Sequence, residues 1–508
     1  MLARVASEAL SGLQGYAVEI EADVVAAAPA FTIVGLPDAA VQESRERVRA
    51  AIVNSAYEFP SRRITVNLAP ADVRKEGPSF DLPIALAFLL ATRQAQRGAD
   101  GVAAVGELGL DGSLRPIVGA LAVAESVSRR GLRGLVLPRA NAAEAALVPG
   151  LKVYPADTLR AAVAVIEAGG GEAARPLVVE RLLEYRADDE VDLADMAGQE
   201  QAKRAIEVAA AGAHNILMIG PPGSGKTMLA RRLPTIMPPL TVREAIDVTR
   251  IYSVAGLLPA QQPLVVRRPF RAPHHTISSA GLVGGGGTPR PGEVSLAHLG
   301  VLFLDEFPEF RLSALEGLRQ PLEDGEVTIS RALSSVTFPA RLMLVAAMNP
   351  CPCGFLGDRE RECACPAHRL RQYVSKLSGP LLDRIDLRVE VPRVAPAERR
   401  AVGQSEKSQA VRARVAAARR RQLVRLAGTS AYANGHMTSR QLRRLCVLHS
   451  DAVTLLDRAY ERLRLSARAC DRVVKVAQTI ADLEGASTIA AAHVAESLSY
   501  RARSVDGR

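Results

Sequence analysis

The chain has 508 residues, 48% hydrophobic and 23% charged, which suits a large core and about three domains and excludes wholesale disorder. Aromatic residues make up 4% with no Trp, against a sugar-binding or base-stacking surface built mainly from aromatic rings. A formal charge of +10 favours polyanionic partners without naming one.

The start, Met1 to Leu10, lacks the apolar core of a signal peptide. The longest apolar stretch, Leu82 to Ala91, contains Pro83 and is about half the length a membrane span requires. Six cysteines, four of them clustered, do not resemble a disulfide framework in a chain this long. The expectation is a cytoplasmic protein that makes no membrane contact.

Up to about Glu167, strand-like and helix-like runs alternate. Ala17 to Val24 alternates with period two, and Ile64–Leu68 and Leu135–Leu137 also read as strands. Asp38 to Ala51 and Ile84 to Leu90 read as helices. Lys75-Glu-Gly-Pro-Ser-Phe-Asp-Leu-Pro83, followed by Gly106 to Ile117, resembles the proteolytic domain of Lon-type proteases. That resemblance implies an α+β domain over 1–168, with Ser79 at the position of the nucleophile. The Lys that would activate it is replaced by Leu121, so the domain is expected to be non-proteolytic.

Gly169-Gly-Gly171 through Pro176 reads as a linker, taken as 169–188. The next module, 189–394, carries the most informative stretch. A short apolar strand, Ile216 to Ile219, runs into Gly220-Pro221-Pro222-Gly223-Ser224-Gly225-Lys226-Thr227 and then into a helix. This is G-x-x-x-x-G-K-[ST] in the strand–turn–helix context of a P-loop. Glycines let successive N–H groups point at a phosphate, and the helix N-terminus adds its own unpaired donors. Lys226 is expected to reach the β- and γ-phosphates and Thr227 to ligate Mg²⁺, so ATP and Mg²⁺ are the expected cofactors.

Downstream, Phe270 to Thr276 contains His274 and His275, with metal, phosphate and structural roles all open and a structural one preferred. The run Gly284 to Gly287 suggests a mobile loop. Gly300 to Leu304 is a continuous apolar strand ending in Asp305 and Glu306, carboxylates placed to hold Mg²⁺ and to polarise the attacking water. A third apolar run, Leu342 to Met348, ends in Asn349, an amide suited to positioning that water or sensing the γ-phosphate. Arg384, between a helix and a strand, is a candidate to stabilise transition-state charge from a neighbouring subunit; a salt bridge with Asp383 or Asp386 is the alternative.

These four motifs together resemble AAA+ ATPases, whose core is a parallel sheet with helices on both faces. The wording Arg271-Ala-Pro-His-His-Thr276, Gly292 to Glu306 and Leu318-Arg-Gln-Pro-Leu-Glu-Asp-Gly325 is similar to the magnesium-chelatase-like ATPases, in the ComM/YifB branch. The resemblance spans nearly the whole chain. It implies an α/β multidomain protein that assembles into a ring, expected to be a hexamer, and a motor for DNA branch migration in natural transformation. Rival readings are a chelatase-type enzyme, a protein remodeller and an ATP-dependent protease.

Cys351-Pro-Cys353 and Cys363-Ala-Cys365 form an insert within 351–368. Two thiol pairs joined by a loop suit a closed tetrahedral Zn²⁺ site, with His368 as a substitute ligand and free or redox-active thiols as the alternative. From 395 to 508 the composition turns to Ala/Arg-rich helix, expected to form a lid. Arg412, Arg414, Arg419, Arg420 and Arg421 make a basic stripe that either contacts nucleic acid or is a solvated face. By resemblance to the lids of MCM-type proteins Arg468 is the sensor arginine, with Arg472 as its competitor. The expected partner is DNA, branched or single-stranded, bound with little sequence preference.

Overall fold

The computed structural model describes residues 1–96, 100–184, 191–259, 261–286, 289–331, 334–358, 361–394, 405–429 and 431–501. The chain divides into two units, Met1–Tyr185 with Val242–Val266, and Arg186–Thr241 with Arg267–Arg508.

In the first unit, Val18, Ile20, Ala22 and Val24 fall on one face of the strand Gln14–Val25, and all are buried. That strand lies inside a seven-stranded mixed sheet, ordered Ala30–Val34, Arg63–Ala69, Gln14–Val25, Leu2–Ser11, Val102–Ala104, Gly134–Pro138, Lys152–Ala156. Leu2–Ser11 pairs antiparallel with Gln14–Val25 along its whole length. Its polar content hides it from a period-two reading, because Ser7 and Glu8 are themselves buried. Glu8 is tolerated there because Arg130 pairs with it and the Ser126 hydroxyl donates to it at 2.7 Å.

The Lon-like positions fall as the register requires. Ser79 sits in a single 3₁₀ turn, Pro78–Phe80, entered through Gly77 at φ +86°. Leu121 opens the helix Ala120–Arg129, is fully buried, and donates its backbone N–H to Glu144 at 2.9 Å. Lys75, four residues before Ser79, is also fully buried, and among the described residues its ammonium has no hydrogen-bond partner. The helix Val242–Val254 packs on Ala120–Arg129 within the same unit. Arg250 forms a bidentate pair with Glu125 at 2.8 Å for both bonds, and Ser253 donates to the buried Glu144. Thus the segment following the P-loop helix belongs to the first unit, although it lies inside the 189–394 stretch.

The second unit is built on five parallel strands. Numbered in chain order as Ile216–Ile219, Phe270–Arg271, Val301–Leu304, Met343–Met348 and Leu387–Glu390, they lie side by side as 5-1-4-3-2. Ile216, Met218, Val301, Phe303, Val345 and Ala347 join one core cluster. The intervening Leu217, Leu302, Leu304, Leu344 and Ala346 are equally buried on the opposite face. Burial on both faces explains why these strands read as continuous apolar runs. The expected parallel α/β core is therefore what the chain forms.

Helices from the C-terminal stretch share this core. Val411, Val415 and Ala418 of Ser408–Arg425, and Val476 and Ile480 of Ala467–Glu484, pack in the same cluster as the central strands. Thr438 and Gln441 form a capping box at the start of Ser439–Leu445, and the Ser466 side chain caps Ala467–Glu484. A buried polar chain supports the contact. His214 lies between Asp386 (3.2 Å) and Thr479 (2.8 Å), while Asn434 donates to Thr479 (3.0 Å) and Asp482 (2.8 Å). Arg425 closes the chain on Asp482. Leaving either charge of such a pair alone costs about 3–5 kcal/mol, so this network favours one arrangement of helices on sheet.

Candidate nucleotide site

The P-loop turn depends on backbone that side chains would disturb. Gly223 and Gly225 adopt φ +75° and +93°, the left-handed region that glycine enters without steric cost. A Cβ on Gly220 would lie 2.1 Å from the Val391 carbonyl oxygen, so the strand end can approach its neighbour only as glycine. The helix Lys226–Ile236 begins directly after the turn and aims its first N–H groups at the loop.

The expected residues converge on one cavity of about 370 Å³, lined by Pro222 to Met228, Asp305, Glu306, Met348 and Asn349. Lys226 donates to the Gly220 and Pro221 carbonyls, at 2.6 and 3.0 Å, and to Asn349 Oδ1 at 3.2 Å. Burial lowers its pKa and the Asp305 charge opposes that shift. A desolvated ammonium held by neutral oxygens is ready to exchange them for phosphate oxygens. The Thr227 hydroxyl donates to Asp305 Oδ2 at 2.7 Å, so the two expected Mg²⁺ ligands already face each other. Both oxygen donors suit that ion, which keeps most of its waters and takes few protein ligands.

Glu306 follows in the left-handed region at φ +53°, with its N–H bound to Asp305 Oδ1 at 2.9 Å. Such a conformation costs a non-glycine residue about 1–3 kcal/mol and is held here by the Asp305 carboxylate. It turns the Glu306 side chain outward, where it pairs with His275 Nδ1 at 3.2 Å. His275 lies against His274, with ring centroids 4.1 Å apart, and His274 is tied to the Thr276 hydroxyl at 2.9 Å. The sequence leaves metal, phosphate and structural roles open for the histidine pair, with a structural one preferred; in the fold His275 touches the candidate base. Its signal was position, since it follows strand two at the carboxyl edge of the sheet, where ligands bind.

Asn349 leads straight into the cysteine insert. The Cys351 sulfur lies 3.3 Å from that of Cys353 and 3.6 Å from that of Cys363, and all four sulfurs, Cys365 included, lie within 4.8 Å of one another. His368 is exposed and outside this group. The insert reaches the P-loop itself, because a Cβ on Gly354 would meet Pro222 Cδ at 2.6 Å. On its far side, the helix Ala367–Ser375 carries Tyr373, which hydrogen-bonds with the Asn349 backbone.

Two expected residues stand elsewhere. Arg384 and Arg468 line a separate cavity of about 560 Å³ that shares no residue with the first. Arg384 precedes the strand Leu387–Glu390, and Ile216 pairs with Leu387 while Ile219 pairs with Glu390. It therefore lies at the amino edge of the sheet, on the order of 15 Å from the P-loop at the carboxyl edge. Its ion-pair partner is Glu323, not Asp383 or Asp386, because Asp386 is occupied by His214, the Asn215 N–H and Arg472. Glu323 is 56% exposed, and pairs in such solvent contact are worth about 1 kcal/mol or less. Of the two lid arginines, Arg472 is held near Asp386 at 3.6 Å, whereas Arg468 is exposed.

The basic stripe is partly spent inside the protein. Arg414 pairs with Glu207 at 2.7 Å and with Glu406, and Arg419 donates to the Ala210 carbonyl at 2.9 Å. The glycine run also differs from its reading. Gly284 and Gly285 pair with Pro291 and Arg290 in a short antiparallel ladder, while Gly287 lies outside the described residues. Among the described residues no helix is long and apolar enough to cross a membrane.

Family comparisons agree with this layout. The model described as magnesium chelatase, subunit ChlI, matches residues 192–399; a second ChlI model matches 20–141, and the ChlI C-terminal model matches 405–501. The uncharacterized protein YifB of Salmonella typhimurium is 44% identical over 99% of this chain and 97% of its own length. The uncharacterized protein Mb2921c of Mycobacterium bovis is 45% identical over 98% of both chains. Competence protein ComM of Haemophilus influenzae is 43% identical over 99% of this chain and 97% of its own. With a P-loop at the carboxyl edge of a 5-1-4-3-2 parallel sheet and relatives matching end to end, the chain belongs to the magnesium-chelatase-like AAA+ proteins of the ComM/YifB type.

Proposed function

We propose that this protein hydrolyses ATP with Mg²⁺ and uses the energy to remodel branched or single-stranded DNA, working as a ring of identical subunits. The observation that carries the hydrolysis is the convergence of Lys226, Thr227, Asp305, Glu306 and Asn349 on one cavity. Lys226 neutralises the β- and γ-phosphates, and Thr227 and Asp305 hold the metal ion. Glu306, freed from His275, orients and deprotonates the attacking water, and Asn349 reads the γ-phosphate. When bound, Mg²⁺ supplies charge neutralisation between the phosphates. Arg384 and Arg468 sit too far from their own P-loop to join this set, which supports a site completed by the adjacent subunit. A hexamer is the assembly size we favour.

The DNA reading rests on the charge of +10 and on likeness to a relative named as a competence protein. Arg414 and Arg419 are engaged internally; from the stripe we retain Arg420 and Arg421 as candidate DNA contacts, and the ladder at Gly284 and Gly285 is a second candidate. We also assign a structural Zn²⁺ to Cys351, Cys353, Cys363 and Cys365. Zn–S bonds of about 2.3 Å place tetrahedral sulfurs about 3.8 Å apart, close to the spacing here. Filled by four thiolates, the ion stays closed to substrate and fastens the loop joining Asn349 to the P-loop contact at Gly354.

Three outcomes are expected. Lys226→Ala abolishes ATP turnover together with tight nucleotide binding, whereas Glu306→Gln binds ATP and turns it over at least about 100-fold more slowly; normal turnover in Glu306→Gln removes the base assignment. Elemental analysis finds about one zinc per chain, and Cys351→Ser loses both the metal and thermal stability; a metal-free protein with unchanged melting returns the thiols to another role. On a four-way junction with heterologous arms, ATP drives strand exchange and a non-hydrolysable analogue gives binding alone, which weakens steeply with salt as counterions are released. An intact junction under both nucleotides, with binding indifferent to salt, favours the protein-remodelling alternative.

A further inference from the structure

Asn215 stands immediately before the P-loop strand and has no part in the nucleotide cavity, yet its side chain spans three strands. Its Nδ2 donates to the Arg384 carbonyl at 2.9 Å, and its Oδ1 accepts the Leu344 N–H at 2.8 Å. One partner is a carbonyl and the other an N–H, which dictates which amide atom faces which. The backbone continues the clamp. The Asn215 carbonyl accepts the N–H groups of Asp386 and Leu387, both at 3.0 Å, and its N–H reaches Asp386 Oδ2 at 3.3 Å.

Asn215 therefore holds the Arg384 carbonyl and the N–H groups of Asp386 and Leu387, while the N–H groups of Arg384 and Ile385 return to the Leu381 and Leu382 carbonyls at 2.9 and 3.2 Å. Their turn lies between the short helix Gly379–Leu382 and the strand Leu387–Glu390. Among the described residues, the guanidinium is held by Glu323, itself half exposed, and by the Pro380 carbonyl at 2.7 Å. A side chain with loose end contacts is aimed chiefly by where its backbone is fixed. Asn215 fixes it to the strand whose other end is the P-loop and to the strand that ends in Asn349.

We propose that Asn215 is the positioning residue for Arg384, setting the place of that guanidinium relative to the P-loop and Asn349 strands. The proposal rests on the reading of Arg384 as a γ-phosphate ligand. It assigns Asn215 no contact with nucleotide. Asn215→Asp keeps the acceptor for Leu344 and removes the donor to Arg384. Asn215→Ala, which removes both side-chain bonds, takes its place if the added charge beside Asp386 impairs folding.

The test is a double-mutant cycle on the full-length protein, measuring kcat for ATP, nucleotide Kd and thermal melting. Arg384→Ala is expected to lower kcat at least about 100-fold. Asn215→Asp is expected to lower kcat at least about tenfold with nucleotide Kd changed less than about twofold. Added to Arg384→Ala, it causes no further loss. Full kcat in Asn215→Asp, losses that multiply in the double variant, or a weakened nucleotide Kd overturns the proposal. Full kcat in Arg384→Ala instead brings down the reading of Arg384, and the proposal with it.

Discussion

Ile216 to Ile219 hydrogen-bond to a parallel strand on each side, Met343–Met348 on one and Leu387–Glu390 on the other, and the candidate chemistry is placed from that double ladder. The carboxyl end of the strand turns into the P-loop; the amino end begins at Asn215, whose amide ties the two flanking strands together. Parallel pairing brings the ends of neighbouring strands level. Asp305 after Val301–Leu304 and Asn349 after Met343–Met348 therefore meet Thr227 and Lys226 without any long-range adjustment. The strands Ile216–Ile219, Val301–Leu304 and Met343–Met348 are buried on both faces, as continuous apolar runs require.

The same geometry separates two sets of groups. Lys226, Thr227, Asp305 and Asn349, the proposed phosphate and metal ligands, gather at the carboxyl edge, while Arg384, Arg468 and Arg472 line a different cavity at the amino edge. A separation on the order of 15 Å is well beyond the reach of a side chain, which supports the proposal that Arg384 serves the site of another copy of the chain. The contacts that hold Arg384 here are weak by comparison with the buried Arg425–Asp482 pair, a difference of several kcal/mol between an adjustable group and a fixed scaffold.

Much of this was legible in the sequence because it is encoded locally. The P-loop, the Asp305–Glu306 pair and Asn349 each follow a short apolar strand, and spacing along one strand is enough to place them. The cysteine cluster is similar, since two pairs of thiols joined by a short loop have few ways to meet. Partners chosen in three dimensions were not legible. Nothing near Arg384 in the chain points to Glu323, and nothing near Glu306 specifies that His275 rather than water receives it. Leu2–Ser11 escaped because its buried carboxylate is balanced by Arg130, more than a hundred residues away. Val242–Val254 escaped because an amphipathic helix shows which face it buries and not against what; its partners, Glu125 and Glu144, lie in the first unit.

The shared site is most directly tested by mixing two chains, one carrying Lys226→Ala and the other Arg384→Ala. Each alone is expected to be inactive. A mixed ring places some intact P-loops next to intact arginines, so ATP turnover should return and pass through a maximum as the proportions are varied. A mixture as inactive as its components, with co-assembly verified, contradicts a site built from two subunits.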